Sequence, residues 1–337
     1  MEEEKIVLID TDAGTDDAWA IFMCLAAHRD PYIPFKVVGL TCVTGNIGID
    51  NVTRNVTRTL QTVGEENIPI FRGSETALVF PYDLGDNPYF GKDGFGDTNL
   101  PPVQPKLEAE HAVHAIIRLA ELYKGKLTIL TMGPLTNLAT AVRLKPEIKH
   151  WIKDLYILGG NYKALGDTTA VGEFNVLADA EAAHIVLENF SSACHVHNVP
   201  WETCVSSSST TAFREKVLGK INSNEMHLLN KIEAKRLEID RPTGIWFAPD
   251  TLASAVLIES TLVTRSKDYY CTVEVSGKYC RGMTVVDKAF IEKKPPNCTI
   301  VEKVDVPLFE RMLIWAAGGP YYKEWVKRNC QELNDSE

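Results

Sequence analysis

Short apolar runs alternate along this chain with stretches of helical periodicity, and that alternation constrains the fold more than any other feature. Lys5 to Ile9, Phe35 to Val43, Leu127 to Met132, Leu155 to Leu158 and His195 to Val199 read as buried parallel strands, because near-continuous apolar runs of this length need cover on both faces. Between them, Asp17 to Ala27, Ile49 to Val63, Glu108 to Tyr123, Leu135 to Leu144 and Ala180 to Leu187 read as helices, with Gly64 and Gly125 where C-caps belong. The expected fold is therefore α/β, a Rossmann-like open and mostly parallel sheet flanked by helices. Thr272 to Lys288 alternates as a small antiparallel hairpin near the C-terminus, and the segment from Pro307 is helical again. With 337 residues and 45% hydrophobic content, a single domain over residues 1–337 can bury its own core.

Ligands of open α/β sheets bind beyond the carboxyl ends of the strands, and the first such end carries an unusual charge density. Asp10, Asp12, Asp16 and Asp17 fall within eight residues, at the tip of the first strand and on the helix start that follows. Helix capping and the helix dipole account for one or two acids there, not four. Four like charges repel unless a cation sits among them. All-oxygen donors suit a hard ion such as Ca²⁺ or Mg²⁺ better than zinc, which recruits His or Cys.

Composition narrows the partners. A formal net charge of -10 without a basic run argues against nucleic acid, and a small uncharged or cationic substrate fits better. No stretch approaches the apolar length of a membrane span, and three glutamates open the chain where a signal sequence would be basic and apolar, so a cytoplasmic location is expected. Eight scattered cysteines read as small buried hydrophobes of a reducing compartment. Asn51, Asn55 and Asn297 begin glycosylation sequons, the first two inside an expected helix. Pro81 to Pro102 is the one long aperiodic stretch, of the kind that forms lids or binding loops.

The residues around the acidic cluster resemble a known family. DTDAGTDDAWA, residues 10–20, is similar to the DxDPGxDDAxA signature of the inosine-uridine preferring nucleoside hydrolases. Gly45-Asn46, Thr131-Met-Gly-Pro-Leu-Thr-Asn137, Gly172-Glu-Phe-Asn175 and the aspartate of Ala248-Pro-Asp250 resemble its further motifs, in family order. The resemblance implies the nucleoside hydrolase fold and Ca²⁺-dependent hydrolysis of the N-glycosidic bond of ribonucleosides. Asp12, Asp17, the Met132 carbonyl and Asp250 would bind Ca²⁺, while Asp16, Asn46, Glu173, Asn175 and Asp250 would hold the ribose hydroxyls. Asp12 would be the general base toward a cation-activated water, and Asp10 would support the cluster from behind. Carboxylates and amides around the sugar would stabilise an oxocarbenium-like transition state more than the neutral ground state. Direct attack by water implies inversion at the anomeric carbon. The family also implies a homodimer or homotetramer.

The chain departs from the family pattern at three places. Pro249 stands where many members carry a His that protonates the leaving base, and proline has no proton to give. Asp167 replaces an Asn expected to contact the ribose 5'-hydroxyl, with Asn161 as the alternative. Phe90 replaces a loop His in the segment before Gly91 to Asp97. Trp246 and Phe247, with Tyr89 and Phe90, are the aromatics expected to stack on the base, Trp246 foremost. His111 and His114, and His195 and His197, pair by spacing but have no metal-site context. Two other readings compete: a nucleoside or ribose-binding protein of the same fold that has lost catalysis through Pro249 and Asp167, and a haloacid dehalogenase-type phosphatase built on Asp10-Thr11-Asp12. The second expects Thr or Val where this chain has Gly14, and leaves the downstream motifs unexplained.

Overall fold

Eight strands make the central sheet of the computed structural model, which describes residues 3–81, 89–190 and 193–322. They are β1 (Lys5–Thr11), β2 (Phe35–Cys42), β3 (Ile70–Phe71), β4 (Leu127–Thr131), β5 (Ile152–Leu158), β6 (His195–Val199), β7 (Val263–Tyr269) and β8 (Cys298–Val304). The order across the sheet is β3-β2-β1-β4-β5-β6-β8-β7, and every pairing is parallel except β8 with the edge strand β7. The α/β reading of the sequence holds, and so does the hairpin, which forms between Cys271–Val273 and Thr284–Val286.

The order reverses at β1, whose chain connects outward to β2 on one side while β4 lies on the other. Crevices open at such reversals because successive connections leave to opposite sides, so the tip of β1 is where a ligand site is expected. Helices cover both faces. On one face α1 (Thr15–Arg29) and α2 (Ile49–Val63) pack Trp19, Phe22 and Val52 into the core; on the other, α3 (Ala112–Leu122), α4 (Thr136–Leu144) and a helix at Ala180–Phe190 contribute Ile116, Leu138 and Val186. Every residue of α1 from Thr15 to Leu25 is buried, the condition of a helix enclosed on all sides.

Element ends differ from the sequence reading by a few residues, each for a local reason. The third helix begins at Ala112, not Glu108, because His111 is its N-cap and accepts from the Val113 amide at 3.3 Å. Gly64 is a left-handed C-cap, φ +75°, as its lack of a Cβ favours. The strands β3, β7 and β8 carry too little signal to be read: β3 has two residues, and β7 is exposed along most of its length at the sheet edge. Asn55 and Asn297 are buried and spend their side chains on backbone, Asn55 on the Ala13 and Asp93 carbonyls and Asn297 on Leu187 and Cys271. Seven cysteines are free thiols, and Cys330 lies outside the described residues. No described helix is long and apolar enough to cross a membrane.

Candidate active site

The chain leaves β1 through Thr11 and Asp12, turns at Ala13 with φ +49°, and enters α1 at its N-cap, Gly14. This turn packs its acids against one another. The Asp17 carboxylate accepts from the Thr11 hydroxyl at 2.5 Å and from the Gly14 amide at 2.8 Å, and so caps its own helix in the manner that the helix dipole favours. Asp12 is held by the β2 loop: its two oxygens accept from the Asn46 amide at 2.6 Å and from Asn46 Nδ2 at 3.0 Å. Gly45 makes that approach possible, since a Cβ there would stand 2.0 Å from Asp12 Oδ2. Behind them Asp10 accepts from Thr41 at 2.6 Å and from Asn137 at 2.8 Å.

Asp250 arrives from a distant part of the chain. It opens the helix Pro249–Ile258, which packs along α1, and carboxylate oxygens of Asp16, Asp17 and Asp250 lie within 4.8 Å of one another. Asp12, Asp16, Asp17 and Asp250 are all buried. Burial, then mutual repulsion, pushes Asp12 and Asp250 well above the usual carboxylate range, and Asp16 up to about 7. Asp17 is raised too, chiefly by burial. Unpaired charge is costly in such a place.

The donor set fits a hard divalent cation. Besides the clustered carboxylates, Asp16 Oδ1 and Asn175 Oδ1 are buried without a hydrogen-bond partner among the described residues, and buried acceptors left unmatched call for a cation or a donor from a ligand. The acidic cluster can therefore hold a metal ion.

Above the cluster opens a cavity of about 430 Å³, within the size range of small-molecule sites. Asp16, Asn46, Met132, Glu173, Asn175 and Asp250 form its polar end. Glu173 caps the short helix Phe174–Ala178 and accepts from the amides of Gly160 (2.6 Å), Asn175 (3.0 Å) and Val176 (3.1 Å). Burial raises its carboxyl to about 8. Asn175 Nδ2 donates to the Met132 carbonyl at 3.1 Å. Four aromatic residues also line the cavity: Trp201 and Phe247, 5.8 Å apart between ring centres, and Tyr89 and Phe90, the last beside Gly14, Asp16 and Asn46.

Of the sequence-derived site residues, Asp16, Asn46, Met132, Asp167, Glu173, Asn175 and Asp250 line the cavity. Asp12, Asp17 and Asp10 do not line it and are fully buried. Asp167 is exposed at the cavity wall and accepts from Thr168 Oγ1 at 2.9 Å, whereas Asn161 is buried, donates to the Val171 carbonyl at 2.5 Å and does not line the cavity.

Trp246 requires correction. It is 1% exposed, sits edge-on to Trp19 at 5.7 Å, and donates its indole N–H to Glu233 at 3.1 Å. Successive residues of an extended segment face opposite ways, so the same stretch that turns Phe247 into the cavity turns Trp246 into the core. Sequence reasoning missed Trp201, Arg236 and Asp240 as lining residues. All three sit on short helices far along the chain from the acidic signature, and no motif marked them. His111, His114, His195 and His197 do not line the cavity.

The model of the inosine-uridine preferring nucleoside hydrolase family matches residues 7–311. The chain is 32% identical over 314 residues to an inosine-uridine preferring nucleoside hydrolase of Leishmania major, covering 91% of this chain and 96% of that protein. It is 29% identical to a pyrimidine-specific ribonucleoside hydrolase of Escherichia coli, covering 92% and 95%. Among solved structures it is similar to an inosine-guanosine nucleoside hydrolase, with a TM-score of 0.86 and 29% identity over 94% of this chain and 100% of that one. A match across nearly the whole length, together with the acidic cluster under a nucleoside-sized cavity, means that the chain belongs to the inosine-uridine preferring nucleoside hydrolase family and is a nucleoside N-ribohydrolase.

Proposed function

We propose that this enzyme hydrolyses ribonucleosides to ribose and free base with Ca²⁺ held by Asp12, Asp17, Asp250 and the Met132 carbonyl. One observation carries the reading: four buried carboxylates, all raised by burial, cluster at a cavity that is also lined by aromatic residues. When bound, the cation supplies the Lewis acidity that makes water easier to deprotonate.

The chain's own residues do the rest. Asp16, Asn46, Glu173, Asn175 and Asp250 grip the ribose hydroxyls, with Asp167 near the 5'-hydroxyl. Ribose draws the Asn46 amide off Asp12, and Asp12 then takes the proton of the attacking water. Positive charge grows on the sugar ring as the bond to the base breaks, and the surrounding carboxylates and amide oxygens stabilise it. Asp10, braced by Thr41 and Asn137, keeps the base of the cluster rigid. Water attacks from the face opposite the nucleobase, so the configuration at the anomeric carbon inverts.

The test is ribose release from inosine, guanosine, adenosine, uridine and cytidine, with and without a chelator. Release that stops in chelator and returns with Ca²⁺, with α-ribose appearing first by NMR, is the expected result. Binding of nucleosides without release of ribose would overturn it.

A further inference from the structure

The reaction leaves a problem that the acidic cluster cannot solve. When the glycosidic bond breaks, its electron pair goes to the base nitrogen, and an unassisted base anion is a poor leaving group. The position beside the last aspartate is Pro249, and no histidine lines the cavity among the described residues. A carboxylate at the polar end would repel the departing anion. The group that assists departure must be a donor, and a cation serves best.

Arg236 is the one cationic side chain among the described residues that line the cavity. It lies on the helix Ala234–Asp240, and it is 7% exposed. Its Nε donates to Asp240 Oδ2 at 3.1 Å, one turn along the same helix, which fixes the plane of the guanidinium. The two terminal nitrogens make no hydrogen bond to any described residue. Five donors are a guanidinium's full complement, so this one retains donors for a ligand.

Arg236 neighbours both a carboxylate and an aromatic ring of the cavity. Asp16 lines the same cavity, and the two opposite charges attract. The Arg236 guanidinium carbon also stands 5.4 Å from the centre of the Tyr89 ring. A nucleoside whose ribose meets Asp16 and whose base meets Tyr89 would carry its glycosidic bond past the guanidinium.

We propose that Arg236 is the leaving-group catalyst of this enzyme, donating hydrogen bonds from its terminal nitrogens to the nucleobase as the base takes up the glycosidic electron pair, with Asp240 as the residue that positions it. The inference rests on the nucleosidase reading above. The balance is simple: the C1'–N bond breaks with its electrons on the base, the water oxygen bonds to C1', and Asp12 accepts the water proton. Arg236 keeps its own protons throughout. The base anion, stabilised by the guanidinium, takes a proton from solvent as it leaves, and Asp12 returns one to solvent.

The experiment compares Arg236→Ala with the parent enzyme on inosine and on p-nitrophenyl β-D-ribofuranoside, whose phenolate departs without assistance. Arg236→Ala should lower kcat on inosine by roughly 10²–10³-fold, the usual cost of removing one preorganised donor, while activity on the nitrophenyl riboside stays near that of the parent. Guanidinium ion added to Arg236→Ala should restore part of the inosine activity, which a purely structural loss would not allow. Arg236→Lys keeps the charge and the aliphatic stem, and so the fold; it should show the same substrate split to a smaller degree. Equal losses on both substrates in Arg236→Lys, or full inosine activity in Arg236→Ala, would overturn the role. A parent enzyme inert on both substrates would instead sink the nucleosidase reading itself.

Discussion

At the scale of single residues, the cost of the acidic cluster makes a prediction that separates chemistry from stability. Asp12 is buried against Asp17, and its carboxyl is raised because the folded state penalises its charge. Asp12→Asn keeps the shape and removes that penalty, so in the presence of a chelator at pH 8 the variant should melt at a higher temperature than the parent. The same change removes the proposed base and should lower ribose release by roughly 10²–10⁴-fold. A variant that melts lower than the parent in chelator would show that Asp12 carries no such strain. Gly45 gives the converse case. A Cβ would meet Asp12 Oδ2 at 2.0 Å and the Pro134 ring at 2.7 Å, so Gly45→Ala must displace one of them, at about 1–3 kcal/mol, and should lose activity together with stability.

At the scale of elements, the segments that carry Arg236 and Phe247 are braced by one buried carboxylate. Glu233, between the helices Asn224–Ile232 and Ala234–Asp240, accepts from the Trp19 indole (2.8 Å), the Trp246 indole (3.1 Å) and Arg214 Nε (2.7 Å). It thereby ties α1, the segment before Pro249 and the helix bearing Arg236 to one another. Breaking a buried pair strands its partner, so Glu233→Ala, which strips buried Arg214 of its carboxylate and leaves it Asn230, should cost about 3–5 kcal/mol in chemical denaturation. Trp246→Phe removes a single donor and should cost about 1–3 kcal/mol while leaving kcat/KM for inosine unchanged; a selective loss of nucleoside affinity would return Trp246 to the binding site. This network also marks where the sequence stops being legible. The tips of β1, β2, β4 and β5 could be read because a strand followed by a motif has only one place to put its polar residues. Which face of an extended Trp246-Phe247 pair meets the ligand depends on what packs behind it, and Glu233 and Trp19 lie far away in the chain. Arg236 and Asp240 look like an ordinary i,i+4 surface pair until the fold closes a cavity over them.

At the scale of the whole molecule, the proposed cation site predicts that stability depends on pH and on cation in a linked way. Asp10 and Asp16 are raised to about 7 and Glu173 to about 8, from unfolded values of roughly 4. Folding therefore binds protons between those limits. The contribution of these groups is fully present below the unfolded values and is lost as pH climbs through 7 to 8. A cation held, as proposed, among Asp12, Asp17 and Asp250 would reverse the balance, because it would favour the ionised carboxylates and bind more tightly as protons leave. The protein in chelator should thus melt at a lower temperature at pH 8 than at pH 5.5, and Ca²⁺ should raise the melting temperature at both, by more at pH 8. Mass action sets the size: Ca²⁺ at a hundred times its dissociation constant adds about 2.7 kcal/mol. Melting curves at the two pH values, each with chelator and with excess Ca²⁺, give four temperatures. If the Ca²⁺ increment is the same at both, proton and cation do not compete for the same carboxylates, and the cluster at the tip of β1 is not where the ion binds.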